Sequence, residues 1–323
     1  MRMIFYADAS PQIGAGHVMR VTTIAQEALS RGYECHFAGD IQSLNWVKEY
    51  IVNLGFKSVS SSLDALYLES HDCILFFDSY TLASDSHCLG SSEWVLTVNV
   101  CDRFTPEYPA DLYILQDLSP NTYGKYPNVF SGPDFTLLRK EIVKCSNLRN
   151  YSAPLKVVVT GGGSDPYFFV RNLLRELVLI QSDMEIHAFA NYILPKHSEM
   201  NVIQYDVGLQ LDEVAIDAGL AITTASTTSL EFIAREIPTL IACVTNNQIP
   251  NYQELSKLGY ALPIGGRDEE DIWVFENKTL ESAITEHRVR DSLREQVRGL
   301  IDLRAPTRVI DEVERYLLKG KLP

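Results

Sequence analysis

RMIFYADASPQIGAGHVMRVTTIAQEALSRGYECHFAGD, residues 2–40, is the stretch that decides the fold of this chain. Arg2–Ala7 is a short, largely apolar run, which predicts a buried strand. His17–Arg31 carries apolar residues every three to four positions and is followed by Gly32, which predicts a helix and its end. Tyr33–Ala38 alternates apolar and polar residues and predicts a second strand. A strand, a loop, a helix and another strand in this order are typical of parallel α/β folds.

The same alternation continues along the chain and starts afresh after Cys145–Pro154, a polar and turn-rich segment that we interpret as a linker. The further predicted strands are Cys73–Phe77, Trp94–Val98, Leu112–Leu115, Leu155–Thr160, Glu185–Ala190, Leu220–Thr223 and Thr239–Cys243. The further predicted helices lie near Phe168–Ile180, Thr227–Arg235 and Thr307–Leu318.

Two such series in 323 residues predict two domains, because a chain of this length exceeds the usual size of one domain. We expect an α/β protein with two Rossmann-like domains, 1–150 and 151–305, that face a central cleft. Residues 306–323 are expected to form a terminal helix that packs back on the N-terminal domain. Ligands of open α/β sheets bind outside the carboxyl ends of the strands, so the loops at those ends are the candidate site.

The charge and composition limit the classes of function. A formal net charge of −14 argues against a nucleic-acid or anionic-membrane binder, since both bind through basic patches. The six cysteines form no CxxC pair, which favours buried thiols in a reducing compartment over zinc ligands. The first strand begins at residue 2 without a signal sequence, and no apolar run reaches the roughly 20 residues of a transmembrane helix. We therefore expect a cytoplasmic protein that acts on a small molecule.

The loop after the first strand contains the most informative residues, with Asp8, a candidate substrate-binding residue, at its start. Gly14 and Gly16 allow the backbone to approach a ligand closely. His17 follows at the start of the helix, where the helix dipole disfavours the imidazolium, so it is expected to be neutral and to act as a base. The alternative is that His17 only caps the helix or packs under the loop. Arg20, one turn on, could meet a phosphate or a carboxylate.

Other candidates follow later strands. Tyr80, in Asp78-Ser79-Tyr80, could orient a water molecule or a sugar hydroxyl, or could be a partly buried loop residue. Gly162 and Gly163 lie in a glycine turn between a strand and a helix, which is a candidate phosphate-binding turn but also common in ordinary turns.

A hydroxyl-rich segment, TTASTTSLE at residues 223–231, precedes the next helix. Ser226, Thr227 and Thr228 could bind a pyrophosphate together with the first N–H groups of that helix, and Glu231 could accept hydrogen bonds from ribose hydroxyls. The alternative is an ordinary capping cluster. Asn247-Gln248, after the strand Thr239–Cys243, adds amide donors.

Taken together, these motifs resemble the UDP-sugar hydrolases of pseudaminic acid biosynthesis, within the wider group of glycosyltransferase-B (GT-B) folds. The opening ADASPQIGAGHVMR is the most specific match. The matching segments are Ala7–Arg20, Asp78–Tyr80, Gly132–Glu141, Gly161–Asp165, TTSLE at 227–231 and NNQ at 246–248.

This resemblance implies a GT-B-like fold and a metal-independent hydrolase that releases UDP and a free deoxy-amino sugar by inverting attack at the anomeric carbon. It implies that His17 and Tyr80 are the catalytic residues and that Glu231 binds the uridine ribose. It places the phosphate and sugar contacts on the hydroxyl-rich loop and on Asn247 and Gln248.

Three hypotheses about the activity remain open from the sequence. Ala225 and Ser226 stand where the family's loop carries glycines, which favours a GT-B glycosyltransferase in which His17 deprotonates an acceptor hydroxyl. The absence of a basic amphipathic helix in the first half favours the hydrolase. A non-catalytic nucleotide-sugar binder is the third hypothesis, and His17 beside two glycines argues against it. We expect no metal and no cofactor, because the candidate carboxylates come from separate loops.

Overall fold

The structure is a computed structural model of the chain. It describes residues 1–41, 44–63, 66, 72–79, 82, 94–104, 109–119, 123–142, 154–195 and 200–319. The chain divides into two compact units, Met1–Lys140 with Asp302–Pro323, and Glu141–Ile301. Each unit is built around its own sheet.

The first unit contains seven strands among its described residues. They are β1 (Arg2–Ala7), β2 (Glu34–Ala38), β3 (Ser58–Ser60), β4 (Cys73–Asp78), β5 (Leu96–Cys101), β6 (Leu112–Leu115) and β7 (Val129–Phe130). Their order in the sheet is β3-β2-β1-β4-β5-β6-β7, and neighbouring strands are parallel. The helical segments are α1 (Gly16–Ser30), α2 (Asn45–Asn53), a 3-10 helix (Pro133–Phe135) and the C-terminal helix (Ala305–Lys319).

The core of this unit forms where α1 and the C-terminal helix cover one face of the sheet. The central strands are buried almost throughout, as expected of a parallel sheet covered by helices. Phe5 of β1 stacks on Phe76 of β4 with ring centroids 4.8 Å apart. Val309, Ile310 and Val313 of the C-terminal helix belong to the same buried cluster.

The second unit repeats this plan. Its strands are β8 (Leu155–Thr160), β9 (Met184–Phe189), β10 (Asn201–Tyr205), β11 (Leu220–Thr224), β12 (Thr239–Cys243), β13 (Leu262–Arg267) and β14 (Trp273–Phe275). The order is β10-β9-β8-β11-β12-β13-β14, parallel except for the last, antiparallel pair. The helical segments are α3 (Phe169–Leu177), α4 (Leu211–Val214), α5 (Thr227–Ala234), α6 (Ile249–Leu258), α7 (Asn277–Thr285), α8 (His287–Val297) and 3-10 helices at Ala215–Asp217 and Asn246–Gln248.

The predicted elements are present, with small differences at their ends. The strands Arg2–Ala7, Leu112–Leu115, Leu155–Thr160 and Thr239–Cys243 have the predicted bounds. The strand predicted at Trp94–Val98 instead begins at Leu96 and ends at Cys101. The linker predicted at Cys145–Pro154 lies, apart from Pro154, outside the described residues, so the domain boundary at 150 stays a prediction.

The strands at the edges of both sheets, β3, β7, β10 and β14, are among the elements that the sequence did not indicate. β10, for example, is the edge strand of the second sheet, and its residues are mostly exposed or half-exposed. An edge strand of this kind lacks the apolar run by which buried parallel strands are recognised.

Gly39, directly after β2, lies close to the backbone at the end of β1. Its φ is +148°, and a Cβ at this position would lie 1.8 Å from the carbonyl oxygen of Ala7 at the end of β1. A side chain here would force β1 and the chain after β2 apart. Gly55 also has a positive φ, +91°, but a Cβ there would meet nothing within 4 Å.

We expect Gly39→Ala to lower the free energy of unfolding by roughly 2–4 kcal/mol, because backbone overlap adds to the cost of a positive φ. The control Gly55→Ala carries the positive φ alone and should cost about 1 kcal/mol. Urea denaturation of both variants measures the difference. Equal losses for the two would contradict the close approach of Gly39 to Ala7.

Candidate active site

In each sheet, one pair of neighbouring strands marks the point from which the chain connections lead toward opposite edges of the sheet. Several of the candidate residues lie at the carboxyl ends of these strands. In the first sheet β1 and β4 are neighbours, although β2 and β3 come between them in sequence. In the second sheet the corresponding neighbours are β8 and β11. Crevices outside the carboxyl ends of strands at such switch points are the usual ligand sites of open α/β sheets.

The β1–α1 loop places His17 at the first of these points. Gly14, with a φ of +79°, donates its N–H to the carbonyl of Ser10 at 2.7 Å, and this closes the turn before the helix. Helix α1 begins at Gly16, one residue before the predicted start, and its N-cap residue, Ala15, has no capping side chain. His17 therefore lies in the first turn and is only 5% exposed.

His17 pairs with Asp78, the last residue of β4. Asp78 lies beside Ala7 in the register of the two strands, and its side chain is 2% exposed. The distance from His17 Nδ1 to Asp78 Oδ1 is 2.5 Å. At this distance a proton must lie between the two atoms, since two lone pairs would repel each other. Because the Asp78 carboxylate can only accept, we assign the proton of a neutral His17 to Nδ1 and its lone pair to Nε2. Arg20 Nη2 also lies 2.9 Å from Nδ1, and in this tautomer it donates to Asp78 Oδ1 and not to the ring.

Arg20 lies one turn further along α1 and binds the same carboxylate. Its Nε donates to Asp78 Oδ2 at 2.7 Å, and its Nη2 donates to Asp78 Oδ1 at 2.9 Å. Its Nη1 pairs with Asp102, just beyond the end of β5. Of the two partners expected for Arg20, a phosphate or a carboxylate, the structure shows the carboxylate. The Arg20 side chain is 4% exposed. The predicted role of Arg20 in binding substrate stays a prediction.

The sequence did not indicate that Asp78 and Asp102 pair with His17 and Arg20. Asp78 ends β4 and Asp102 follows β5, and both strands lie on the same side of β1. This adjacency depends on the strand order. A usable signal was the acidic residue at the end of β4, since the fourth strand of such sheets commonly lies beside the first.

Asp8 holds several loop ends together. Its Oδ1 accepts the backbone N–H of Asp40 at 2.8 Å, and its Oδ2 accepts hydrogen bonds from Tyr6 at 3.1 Å and Ser79 at 3.2 Å. These contacts are structural, and the predicted contact of Asp8 with substrate stays a prediction. Tyr80 lies outside the described residues.

The second switch point brings the glycine turn onto the hydroxyl-rich loop. Thr224 donates to the carbonyl of Gly161 at 3.1 Å and lies 3.2 Å from the hydroxyl of Ser226. Gly162 has a φ of +101°, and a Cβ there would lie 3.2 Å from Ser226 Oγ and 3.5 Å from Thr228 Oγ1. Gly161 and Thr224 are 63 residues apart in the sequence, and the pairing of β8 with β11 brings them together.

The two helices at this point differ in whether their N-termini are capped. At α3, Asp165 accepts the N–H groups of Phe169 at 2.7 Å and Val170 at 3.0 Å, so a phosphate cannot use these donors. At α5 the N-cap residue Ser226 makes no capping hydrogen bond through its side chain. The first turn of α5, which contains Thr227 and Thr228, therefore begins without a side-chain cap from Ser226.

Burial has a clear effect on the group that caps α3. It raises the pKa of the Asp165 carboxyl above its usual range, although the hydrogen bond from Tyr192 at 2.5 Å and the two N–H donors work in the opposite direction. Burial, and then the charge of Asp165, raise the pKa of the Tyr192 phenol. Tyr192 therefore remains a donor to Asp165.

The remaining predicted residues lie on three elements of the second unit. Glu231 is in the second turn of α5 and is 8% exposed. Asn247 and Gln248 form part of the 3-10 helix after β12. Gln248 Oε1 accepts the N–H of Val244 at 3.0 Å, and Asn247 Oδ1 accepts from Thr245 at 2.6 Å. Gly163 lies in the glycine turn itself.

In the part of the chain that the structure describes, no group of three or more His, Cys, Asp or Glu side chains is placed to hold a metal ion. Nor does any described helix have the length and apolar character needed to cross a membrane.

No protein-family model matches the chain, and no curated protein is detectably similar to it in sequence. Solved structures are similar over nearly the whole length. The glycotransferase of kitacinnamycin superposes with a TM-score of 0.69 at 16% identity, over 98% of this chain and 99% of its own. MurG of Acinetobacter baumannii gives 0.68 at 12% identity, over 98% and 100%. UGT89C1 of Arabidopsis thaliana in complex with UDP gives 0.70 at 10% identity, over 98% and 100%.

At these identities the similarity is evidence for the fold alone. It agrees with the two sheets, in which parallel strands predominate and a switch point lies near the centre. The predicted fold class is thereby confirmed: the chain has a GT-B-like α/β fold made of two Rossmann-like units.

Proposed function

We propose that the chain is an enzyme that transfers the sugar of a nucleotide-sugar to a hydroxyl nucleophile, with His17 as the general base. The observation that carries this proposal is the buried His17–Asp78 pair, in which a neutral His17 has its proton on Nδ1 and its lone pair on Nε2. The binding of UDP by a solved structure of the same fold supports a nucleotide ligand.

In this proposal the nucleophile gives its proton to His17 Nε2 as its oxygen attacks the anomeric carbon of the sugar. The bond from that carbon to the diphosphate oxygen breaks, and the nucleoside diphosphate leaves with the bonding electrons. Its negative charge is stabilised by the uncapped first turn of α5 and by the hydroxyls of Ser226, Thr227 and Thr228. Gly162 gives the diphosphate room beside these hydroxyls.

The identity of the nucleophile separates two candidate functions. The glycotransferase among the solved structures favours an acceptor hydroxyl and thus a glycosyltransferase. Water, and thus hydrolysis, is favoured by the motif at Ala7–Arg20 and by the small exposed fraction of His17. Hydrolysis and its assignment to pseudaminic acid biosynthesis stay predictions.

Product analysis without an acceptor distinguishes the two. The chain is incubated with UDP-sugars, including UDP-activated diacetamido-trideoxy sugars, and both products are quantified by chromatography. Equal amounts of UDP and free sugar, formed over many turnovers, would establish the hydrolase. UDP release that requires an added acceptor alcohol would establish the transferase. No release under either condition would contradict both candidate functions.

We expect His17→Asn to reduce kcat by about 10²–10⁴-fold, because the variant has no general base, while UDP binding is retained. His36→Asn is the matched control: His36 lies in the same unit, on β2, and contacts Ser58 and Glu34. Steady-state kinetics of both variants measure the change in kcat. A rate for His17→Asn within a few-fold of that of the control would remove His17 from the mechanism.

We expect Glu231→Ala to weaken UDP binding by roughly 1.5–3 kcal/mol, since the carboxylate is proposed to accept charge-assisted hydrogen bonds from the ribose hydroxyls. Glu213→Ala, at an exposed position in the same unit, is the control and should bind UDP as the wild type does. Calorimetric titration measures both affinities. Unchanged affinity for Glu231→Ala would leave Glu231 as an ordinary helix residue.

A further inference from the structure

In the second unit, an arginine lies in a corner between two aromatic rings, beyond the carboxyl ends of β8 and β9. Arg171 is in the first turn of α3, and its guanidinium carbon lies 4.7 Å from the centre of the Phe168 ring and 4.8 Å from that of the Tyr192 ring. The two rings meet edge to face, with their centroids 5.0 Å apart. Cation–π contacts with both rings hold the guanidinium in this corner.

The two rings leave the N–H donors of Arg171 unused, because the faces of aromatic rings attract the charge and the N–H groups point outward in the guanidinium plane. In the part of the chain that the structure describes, the Arg171 guanidinium makes no hydrogen bond and no ion pair. Arg267, in the same unit, also lies over a ring, that of Tyr167 at 4.4 Å, but it pairs with Asp271 at 2.7 Å. Arg171 therefore has the ring contacts of Arg267 without a carboxylate partner.

The carboxylate of Asp165 lies close by, but its oxygens are already used. They accept the N–H groups of Phe169 and Val170 and the hydroxyl of Tyr192. The charge of Arg171 works against the rise in the pKa of the Asp165 carboxyl that burial causes, yet the two side chains form no ion pair. The N–H of Arg171 itself donates to the Tyr192 hydroxyl at 3.3 Å. The donors that remain are those of the guanidinium and not those of the helix end.

The corner has two costs for the fold. A positive side chain in the first turn of a helix is disfavoured by the helix dipole, whose positive end lies there. Phe168 has a φ of +59° and a ψ of +37°, in the left-handed region that a residue of this size rarely adopts. Phe168 is also 43% exposed. Strained residues concentrate at ligand sites, and a ligand that covered the ring and paired with the cation would offset both costs.

This corner adjoins the glycine turn of the candidate active site. A Cβ at Gly161 would lie 2.8 Å from the Cβ of Asp165, and the carbonyl of Gly161 accepts the hydroxyl of Thr224. Asp165 in turn binds Tyr192, which supplies one ring of the corner. The glycine turn therefore connects the hydroxyl-rich loop with the Arg171 corner.

We propose that Arg171 binds an oxyanion, a carboxylate or a phosphate, on a ligand whose apolar part covers the Phe168 ring. The fork of the guanidinium matches two oxygens of such a group. This subsite is separate from the proposed diphosphate site at the first turn of α5. For its meaning in catalysis the inference rests on the proposed function, to which it adds that a substrate carries an acidic group besides the diphosphate.

The probes are benzoate and phenyl phosphate, which combine an oxyanion with a ring, and benzyl alcohol is their neutral counterpart. NMR of the full chain with labelled arginine follows the Nε–H signals, and the Arg171 signal is assigned by its loss in Arg171→Gln. We expect at least one acid to shift this signal saturably, with a Kd of about 1–20 mM, and benzyl alcohol to leave it in place. The signal of Arg175, an exposed residue one turn along α3, is the internal control. A shift that does not saturate, or that Arg175 shares, would overturn the proposal.

Three variants test which features of the corner bind the acid, with the affinity measured by saturation transfer to the signals of the probe. Arg171→Lys keeps the charge without the fork and should bind about five-fold more weakly or less. Phe168→Leu removes the ring and should bind about three-fold more weakly. Arg175→Gln is the matched control and should bind as the wild type does. Equal affinity in Arg171→Lys and Arg175→Gln would contradict the assignment to Arg171. If a variant does not fold, the Arg171 signal of the wild type decides alone.

Nucleotides distinguish this subsite from the diphosphate site. We expect the acid to shift Arg171 in the presence of saturating UDP as it does in its absence. Displacement of the acid by UDP would overturn the proposal, because Arg171 would then bind the diphosphate itself. A shift of Arg171 by UDP-glucuronate and not by UDP-glucose would support the subsite and place the acidic group on the sugar, whereas joint binding of UDP-glucose and the acid would support it and place that group on a second molecule. Failure of the chain to bind UDP would contradict the proposed function and leave the result with the acids unchanged.

Discussion

The Asp78 carboxylate is the contact on which the first candidate site depends, because it accepts hydrogen bonds from His17 and Arg20 at once. A carboxylate that is 2% exposed is unstable without such partners. Asp78 in turn fixes its partners, because these contacts favour one tautomer of the His17 ring and one orientation of the Arg20 guanidinium. The position of Asp78 follows from the pairing of β4 with β1.

The two units place chemically different groups at equivalent positions of the same topology. At the β1–β4 point the first unit has a histidine with an acidic partner, and at the β8–β11 point the second unit has glycines and hydroxyls. The first set suits proton transfer and the second suits a diphosphate. Asp165 caps α3, whereas the side chain of Ser226 does not cap α5, so the first turn of α5 is the proposed anion site.

The sequence predicted the buried parallel strands well, because a short apolar run such as Leu155–Thr160, bounded by turn residues, is typical of a strand covered on both faces. It also predicted that His17 begins a helix after a glycine turn. It did not reveal that Asp78 binds His17 or that Gly162 faces Ser226, since both contacts depend on which strands are neighbours. Single-sequence patterns give the order of elements along the chain, whereas strand order is a property of the folded sheet.

Asp78 holds a neutral His17 with its proton on Nδ1 and its lone pair on Nε2. The ¹⁵N chemical shifts of the His17 ring, recorded above the pH at which it titrates, test this claim most directly. We predict a protonated, pyrrole-type Nδ1 and an unprotonated, pyridine-type Nε2, with loss of that preference in Asp78→Asn. A proton on Nε2 in the wild type would contradict the claim, because His17 could then not act as the base through that atom.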